Sequence, residues 1–368
     1  MSQIDEKMLD RLRDAVLLLH PLRELKHRCQ EKKQQQTERI FFKRVMMPNH
    51  VLDAQHLTIQ FSARSGIVHA VDDISFTLRH GETLGFVGES GCGKTTTTLG
   101  LMNMVPPPGK IMSGAILVEG RNIVPLSEDE MRRDIRWVKM AMVFQGAMNC
   151  LTPVYTVGRQ MLETLQVHRP MPKREARERM LTYLRRVGLP EDAASRYPHE
   201  LSGGMKQRVV IATALFLAPQ IVICDEPTTA LDVVVQAQIL NLLKELKQAC
   251  GLSLMFITHD LATEAEIADR VVVMYAGKIM EIGANAHIYG AQGPAHPYTR
   301  ALLNATPRLR QRVSTLAFIP GAPPDLRHPP SGCRFHPRCA VALPRCREAA
   351  PELREIEPEH QAACHLLE

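Results

Sequence analysis

Gly88-Glu89-Ser90-Gly91-Cys92-Gly93-Lys94-Thr95-Thr96 follows directly on Thr83-Leu84-Gly85-Phe86-Val87, a short apolar run that reads as a buried strand. Beyond it, Thr96 to Met104 reads as a helix until Pro106-Pro107-Pro108 stops it. Strand, glycine loop and helix is the setting in which GxxxxGK[ST] becomes a phosphate site. Its glycines let successive backbone N–H groups point inward around phosphate oxygens, and the helix N-terminus adds partial positive charge. Lys94 is then expected on the β- and γ-phosphates of a nucleotide, and the Thr95 hydroxyl on Mg²⁺. Gly88, Ser90, Gly91, Gly93 and Thr96 complete the expected cradle. Cys92, inside the loop, is expected to be open to alkylation.

Upstream of the loop, Leu57 to Phe61 alternates, and Val68 to Val71 and Ile74 to Leu78 look like further strands. Downstream, Gly114 to Gly120 reads as a strand and Ser127-Glu128-Asp129-Glu130 as a capped helix start. Met140 to Phe144 is a strand ending at Gln145, and residues 146 to about 200 are mostly helical, Lys173 to Val187 most clearly. A helix is expected from Leu201 to about Leu217, a strand at Ile221 to Cys224, and a helix at Val233 to Ala249. Strand Ser253 to Thr258, helix Ala262 to Ala268 and strand Val271 to Tyr275 follow. Repeated β–α–β alternation predicts an α/β fold with a mostly parallel sheet.

The strand Ile221-Val222-Ile223-Cys224 runs into Asp225-Glu226. Two carboxylates at a strand end are what a phosphate-loop nucleotidase needs: Asp225 toward Mg²⁺, and Glu226 to activate the attacking water. Some twenty residues earlier lies Leu201-Ser202-Gly203-Gly204-Met205-Lys206-Gln207-Arg208, two glycines opening a helix behind a serine. That is an anion-binding helix start.

In this order and spacing the motifs resemble the ATP-binding cassette (ABC) proteins, over nearly all of residues 51–290. The resemblance implies a phosphate-loop NTPase core sheet, an antiparallel β subdomain and a helical subdomain at about 146–200. It makes Ser202, Gly203 and Gly204 the signature, Gln145 the hinge glutamine on Mg²⁺ or water, and Ala230-Leu231-Asp232 the loop after the carboxylates. His259 falls where the family contacts the γ-phosphate, and Phe61 where an aromatic ring stacks on adenine. One phosphate loop and one signature in one chain look like half of a head-to-tail sandwich, with ATP between Lys94 of one subunit and Ser202 to Gly204 of another.

The tail, residues 291–368, is proline-rich and reads as irregular. Gly293 to Leu303, Ile319 to Pro324 and Cys333-Arg334-Phe335-His336-Pro337-Arg338-Cys339 resemble the C-terminal extension of the dipeptide/oligopeptide (nickel) importer ATPases. That implies two transmembrane permeases as partners, docked near Gln145 to Thr156, and a second ATPase subunit, identical or not. A separate extracytoplasmic binding protein would choose the substrate: peptides, or else nickel or oligosaccharides. Cys333, Cys339, Cys346 and Cys364 are spaced C-x5-C-x6-C-x17-C, with no adjacent CxxC pair. Four soft thiolates suit iron–sulfur or zinc, and the resemblance favours a [4Fe–4S] cluster. Cys29, Cys92, Cys150, Cys224 and Cys250 lack such grouping and are expected to be structural.

Composition agrees and excludes little else. Hydrophobic residues are 45% of 368, and no stretch approaches ~18 uncharged apolar residues, the length that would span a bilayer. Ala15 to His20 is too short for the apolar core of a signal peptide, which predicts a protein on the cytoplasmic face of the membrane with reduced thiols. Of the formal charge of +6, residues 1–50 hold +4, leaving a nearly neutral body and no expectation of nucleic-acid binding. Residues 1–48 stand apart. Leu12, Val16 and Leu19 recur at helical spacing, as in an amphipathic helix, but a frayed extension ahead of a start near Met46 or Met47 fits as well. A soluble, non-transport ABC ATPase is the rival from another class, although no long coiled coil or second cassette is present.

Overall fold

The computed structural model describes residues 50–64, 66–305 and 318–367. The expectations for residues 1–48, Cys29 among them, lie outside the described residues.

In chain order the strands are β1 (His50–Ala63), β2 (Gly66–Arg79) and β3 (Thr83–Val87), followed after helix α1 (Lys94–Leu101) by β4 (Gly109–Val118) and β5 (Arg121–Asn122). Strand β6 (Met140–Val143) precedes helices α2 (Val157–His168), α3 (Lys173–Arg186) and α4 (Gly203–Leu215). Then come β7 (Ile221–Asp225), α5 (Val233–Cys250), β8 (Ser253–Ile257), α6 (Leu261–Ile267), β9 (Arg270–Tyr275) and β10 (Lys278–Ala284). Short helix α7 (Asn285–Tyr289), helix α8 (Pro297–Asn304), β11 (Arg354–Glu357) and β12 (His360–Ala362) close the chain.

Strands β2-β1-β4-β5 form an antiparallel sheet, and β11-β12-β10-β9-β3-β8-β7-β6 a mixed one. The three short strands expected between Leu57 and Leu78 are in fact two of fourteen residues. Their ladder is kept in register by bulges, next to which His56 and Asp73 take positive φ (49° and 53°). A bulge breaks strict alternation, which is why the sequence shows only fragments.

The apolar strands of the core sheet send alternate side chains to opposite faces. Ala141, Val143, Val222, Cys224, Leu254 and Phe256 join one buried cluster with Met161 and Leu165 of α2 and Met180 and Leu184 of α3. Met140, Met142, Ile221, Ile223, Met255 and Ile257 join the other, with Leu57, Ile59 and Ile74 of the antiparallel sheet. Covered on both faces, β3, β6, β7 and β8 are buried at every residue, as parallel strands must be. The same packing makes the carboxyl ends of four neighbouring parallel strands one shared edge, where α/β sheets bind ligands.

The tail is not irregular. Pro297 sits in the first turn of α8, and His296 caps it by accepting from Tyr298 N–H at 3.0 Å. Strand β12 pairs antiparallel with β10, Glu281 opposite Ala362 and Gly283 opposite His360. Arg354-Glu355-Ile356-Glu357 and His360-Gln361-Ala362 carry no apolar alternation; they become strands because β10 offers them an open edge. Glu281, fully buried, accepts from Ala295 N–H at 2.7 Å and His296 N–H at 3.2 Å, and lies 2.7 Å from His360 Nε2. A third apolar cluster joins Val271, Val273 and Tyr275 of β9 to Tyr298, Cys333, Phe335 and Cys346.

Candidate nucleotide site

The loop after β3 turns through left-handed backbone at Gly88, Gly91 and Gly93 (φ 149°, 78° and 108°). A Cβ at Gly88 would lie 2.1 Å from the Met274 carbonyl oxygen, and one at Gly93 2.4 Å from that of Ala70. Only glycine lets the backbone pass there. Lys94 is buried, its ammonium donating to the carbonyls of Gly88 (2.7 Å) and Glu89 (3.1 Å) within the curve of the loop. Thr97 Oγ1 donates to Gly93 O at 2.9 Å and ties the first turn of α1 to the loop. Helix α1 begins at Lys94, two residues earlier than the sequence suggests, and ends at Leu101, ahead of Asn103 with its φ of 49°. Ser90, Gly91 and Thr95 are exposed and Thr96 half-buried, on the open side of the loop. Cys92 is a correction: it is only 4% exposed, with Sγ 3.6 Å from Lys94 Nζ. Burial pushes its thiol pKa up, against a partial pull from Lys94. A buried, protonated thiol is a poor nucleophile, so the expectation of easy alkylation falls.

Asp225 ends β7 and is 1% exposed. Burial pushes its carboxyl pKa up; the Thr95 hydroxyl bonded to it and the Lys94 charge pull the other way, while Glu226 adds to the rise. Its Oδ1 has no hydrogen-bond partner. A buried carboxylate oxygen without a donor is costly. Beside a threonine hydroxyl, it fits a hard cation such as Mg²⁺.

Glu226 follows in left-handed backbone, φ 48°, its N–H donating to Ile257 O at 2.9 Å. Its Oε2 accepts from Gln145 Nε2 at 2.9 Å and from Thr229 Oγ1 at 3.0 Å. Its Oε1 is 3.4 Å from His259 Nδ1. Gln145 leaves β6, Glu226 leaves β7 and His259 follows β8, so adjacent parallel strands deliver the three side chains to one point. The sequence missed Thr229. Its only signal is a hydroxyl three residues past the carboxylate.

The remaining predicted residues stand elsewhere. Ser202 caps α4 with its hydroxyl accepting from Met205 N–H at 3.3 Å, so its hydrogen bonding stays within its own helix. Gly204 is needed for packing: a Cβ there would lie 2.7 Å from Val235 Cγ1 at the start of α5. Phe61 lies with its ring against Gly109 and Val105, at the rim of the core. The four tail cysteines share one neighbourhood. Burial pushes Cys333 up to about 11, and the thiols of Cys346, Cys364 and Cys339 add to the rise. Cys339 and Cys364 are likewise raised, mainly by burial. Among the described residues, however, no three His, Cys, Asp or Glu side chains are arranged to hold a metal ion. As placed, the thiols do not close around one. Among the described cysteines expected to be structural, Cys92 and Cys224 are buried while Cys150 and Cys250 are exposed.

The family described as ABC transporter matches residues 71–229, and that described as oligopeptide/dipeptide transporter, C-terminal region, matches residues 280–346. A probable peptide ABC transporter ATP-binding protein of Sinorhizobium fredii is 47% identical, over 85% of this chain and 94% of that relative. The dipeptide transport ATP-binding protein of Bacillus subtilis is 48% identical over 78% and 86%, and the oligopeptide transport ATP-binding protein of Escherichia coli 46% over 80% and 86%. Among solved structures, the dimeric ABC transporter cassette MJ0796 covers 64% of the chain at 29% identity, with a TM-score of 0.56 and 98% of its own length matched. Another structure of it is described as a dimeric post-hydrolysis state bound to ADP and Pi.

Proposed function

The chain belongs to the ABC transporter ATP-binding proteins, and we propose that it is the ATP-hydrolysing subunit of a di- or oligopeptide importer. The observation that carries this reading is the meeting of Gln145, Glu226 and His259 beside Lys94 and Asp225 at one sheet edge. ATP is held by the loop of residues 88–96, Lys94 on its terminal phosphates. Thr95, Asp225 and Gln145 would hold Mg²⁺, which when bound neutralises phosphate charge. Glu226 takes the proton of the attacking water, oriented by Gln145 and Thr229, with His259 facing the γ-phosphate.

Residues 49–290 form the cassette, with about 146–200 as its helical subdomain, and 291–368 the extension. Beside Gln145 a cleft of about 420 Å³, lined by Phe144, Leu151, Gln160, Met161 and Val167, supports permease docking there. Among the described residues no helix is long and apolar enough to cross a membrane, in keeping with a peripheral subunit under two permeases. Phe61 stacks on adenine, and a second ATPase subunit faces Ser202 to Gly204. Peptides are preferred over nickel or oligosaccharides because the relatives are described as peptide, dipeptide and oligopeptide transport proteins. Deleting the chain in its own cell should abolish uptake of a labelled dipeptide or oligopeptide. Wild type should restore it and Lys94→Ala should not. Full rescue by Lys94→Ala refutes the assignment, and intact peptide uptake with lost nickel uptake reassigns the substrate.

The tail cysteines are proposed as thiolate ligands of a [4Fe–4S] cluster or of zinc. Support comes from the donor set, with Cys339, Cys346 and Cys364 close enough to Cys333 to add to the rise of its thiol. Anaerobically purified protein should be brown, absorb near ~400 nm and lose the colour on Cys339→Ser. Colourless protein with stoichiometric zinc makes it a zinc site. Four titrating thiols without metal end the proposal.

A further inference from the structure

The tail reaches the phosphate loop through Arg338, which lies between Cys333 and Cys339. Its guanidinium forms a two-pronged ion pair with Glu89, the second residue of the loop: Nη1 to Oε2 at 2.6 Å and Nη2 to Oε1 at 3.0 Å. The Arg338 side chain is 7% exposed and that of Glu89 21%. The rest of the fork is occupied as well. Nε donates to Pro320 O at 2.8 Å, Nη1 to Tyr275 Oη at 3.2 Å, and Nη2 to the carbonyls of Ile319 (3.3 Å) and Gly321 (3.4 Å). A guanidinium held this completely has one orientation.

Glu89 is also held along its backbone. Its N–H donates to Tyr298 Oη at 2.9 Å, and its carbonyl accepts from Lys94 Nζ at 3.1 Å. Two of these holds, Arg338 and Tyr298, come from the tail. The tail segment is itself anchored: Phe335 packs its ring against Tyr275 and Tyr298, with centroids 5.3 and 5.2 Å away, and Arg334 pairs with Asp72 of β2.

The loop needs such support. Its glycines have more backbone freedom than other residues, and the cradle shape is one of many they can take. Affinity for a ligand that fits only one shape falls in proportion to the time spent in the others. We propose that Arg338 is a positioning residue for nucleotide binding: by holding Glu89 it keeps the phosphate loop in its cradle shape, so that the cysteine-bearing tail sets the loop's affinity for Mg·ATP. The hydrogen bonds of Arg338 go to Glu89, Tyr275 and tail carbonyls and not to Glu226, so its effect falls on binding and not on the chemical step. This rests on the nucleotide-site reading above.

The test is a double-mutant cycle on ATP hydrolysis, using the full chain with its partner subunits. Arg338→Gln should raise KM for Mg·ATP about tenfold, as expected if the loop is competent a tenth of the time, with kcat within about twofold. Glu89→Gln should raise KM by a similar factor, and the double variant should be no worse than either single, because both cut one link. Arg338→Lys, which keeps the charge but not the fork, should recover part of the affinity. Unchanged KM in the singles, additive losses, or a fall in kcat at constant KM overturns the proposal. If Arg338→Gln does not fold, Glu89→Gln and Tyr298→Phe decide it: raised KM supports the clamp, and unchanged KM overturns it. Lys94→Ala run alongside separates the two readings. If hydrolysis does not depend on Lys94, the nucleotide-site reading has failed, whatever Arg338 does.

Discussion

Glu226→Gln should leave ATP binding intact and lower turnover by about 10² or more, the usual contribution of a positioned general base. The structure makes the substitution nearly isosteric. The new amide oxygen can keep the bonds from Gln145 Nε2 and Thr229 Oγ1, now 2.9 and 3.0 Å. The amide nitrogen then faces His259 Nδ1, now 3.4 Å from Oε1. Shape and contacts survive, and what is lost is the ability to take a proton from water. The variant should therefore bind fluorescent ATP analogues like wild type and accumulate a closed, ATP-bound dimer. Near-normal hydrolysis in the presence of the partner subunits would remove Glu226 from the role.

Gly204→Asp should abolish hydrolysis almost as completely, by about 10² or more if signature contacts stabilise transition-state charge, while ATP binding to the chain's own phosphate loop persists. Two physical effects combine. A Cβ at 204 meets Val235 Cγ1 at 2.7 Å, so the Val235 side chain or the start of α4 must shift. A carboxylate at the helix start also opposes the γ-phosphate of a nucleotide presented by another subunit. Mixing Gly204→Asp with Lys94→Ala chains in a homodimer should rebuild one composite site, pairing Lys94 of the first with Gly204 of the second. If a dedicated partner ATPase takes that place, the partner's own loop and signature replace the mixture. Turnover independent of subunit concentration in both arrangements would rule out the sandwich.

Those residues were legible because each has a local signal. Asp225, Gln145 and His259 each come at or just after the end of a short apolar run, Lys94 closes the glycine loop that follows another, and a parallel sheet turns "after a strand" into "at the same edge". Glu226 could be named for the same reason. Thr229 could not, because its role depends on a backbone turn, with Glu226 at φ 48°, that composition does not announce. Burial of Cys92 beside Lys94 is a three-dimensional fact of the same kind. The tail was the least readable part. Arg338 and Glu89 are 249 positions apart, and nothing near either residue marks the other. Strands β11 and β12 lack alternation because they borrow their order from β10. Phe61 and Ser202 to Gly204 were named from family pattern alone, and Ser202 to Gly204 are proposed to serve the loop of another subunit.

The pairing of β12 with β10 also imposes a timetable. His360 meets Glu281 79 residues after it in the chain, and at synthesis rates of about 5–20 residues per second that interval lasts roughly 4–16 s. For that time strands β1 to β10 of the two sheets have been made, yet the outer edge of β10 is bare and its buried carboxylate lacks the imidazole. Through the earlier part of that interval, before Arg338 has been made, the chain has a complete phosphate loop without that brace. The making of β12 therefore decides when the newborn subunit covers the open edge of β10 and gives Glu281 its imidazole partner.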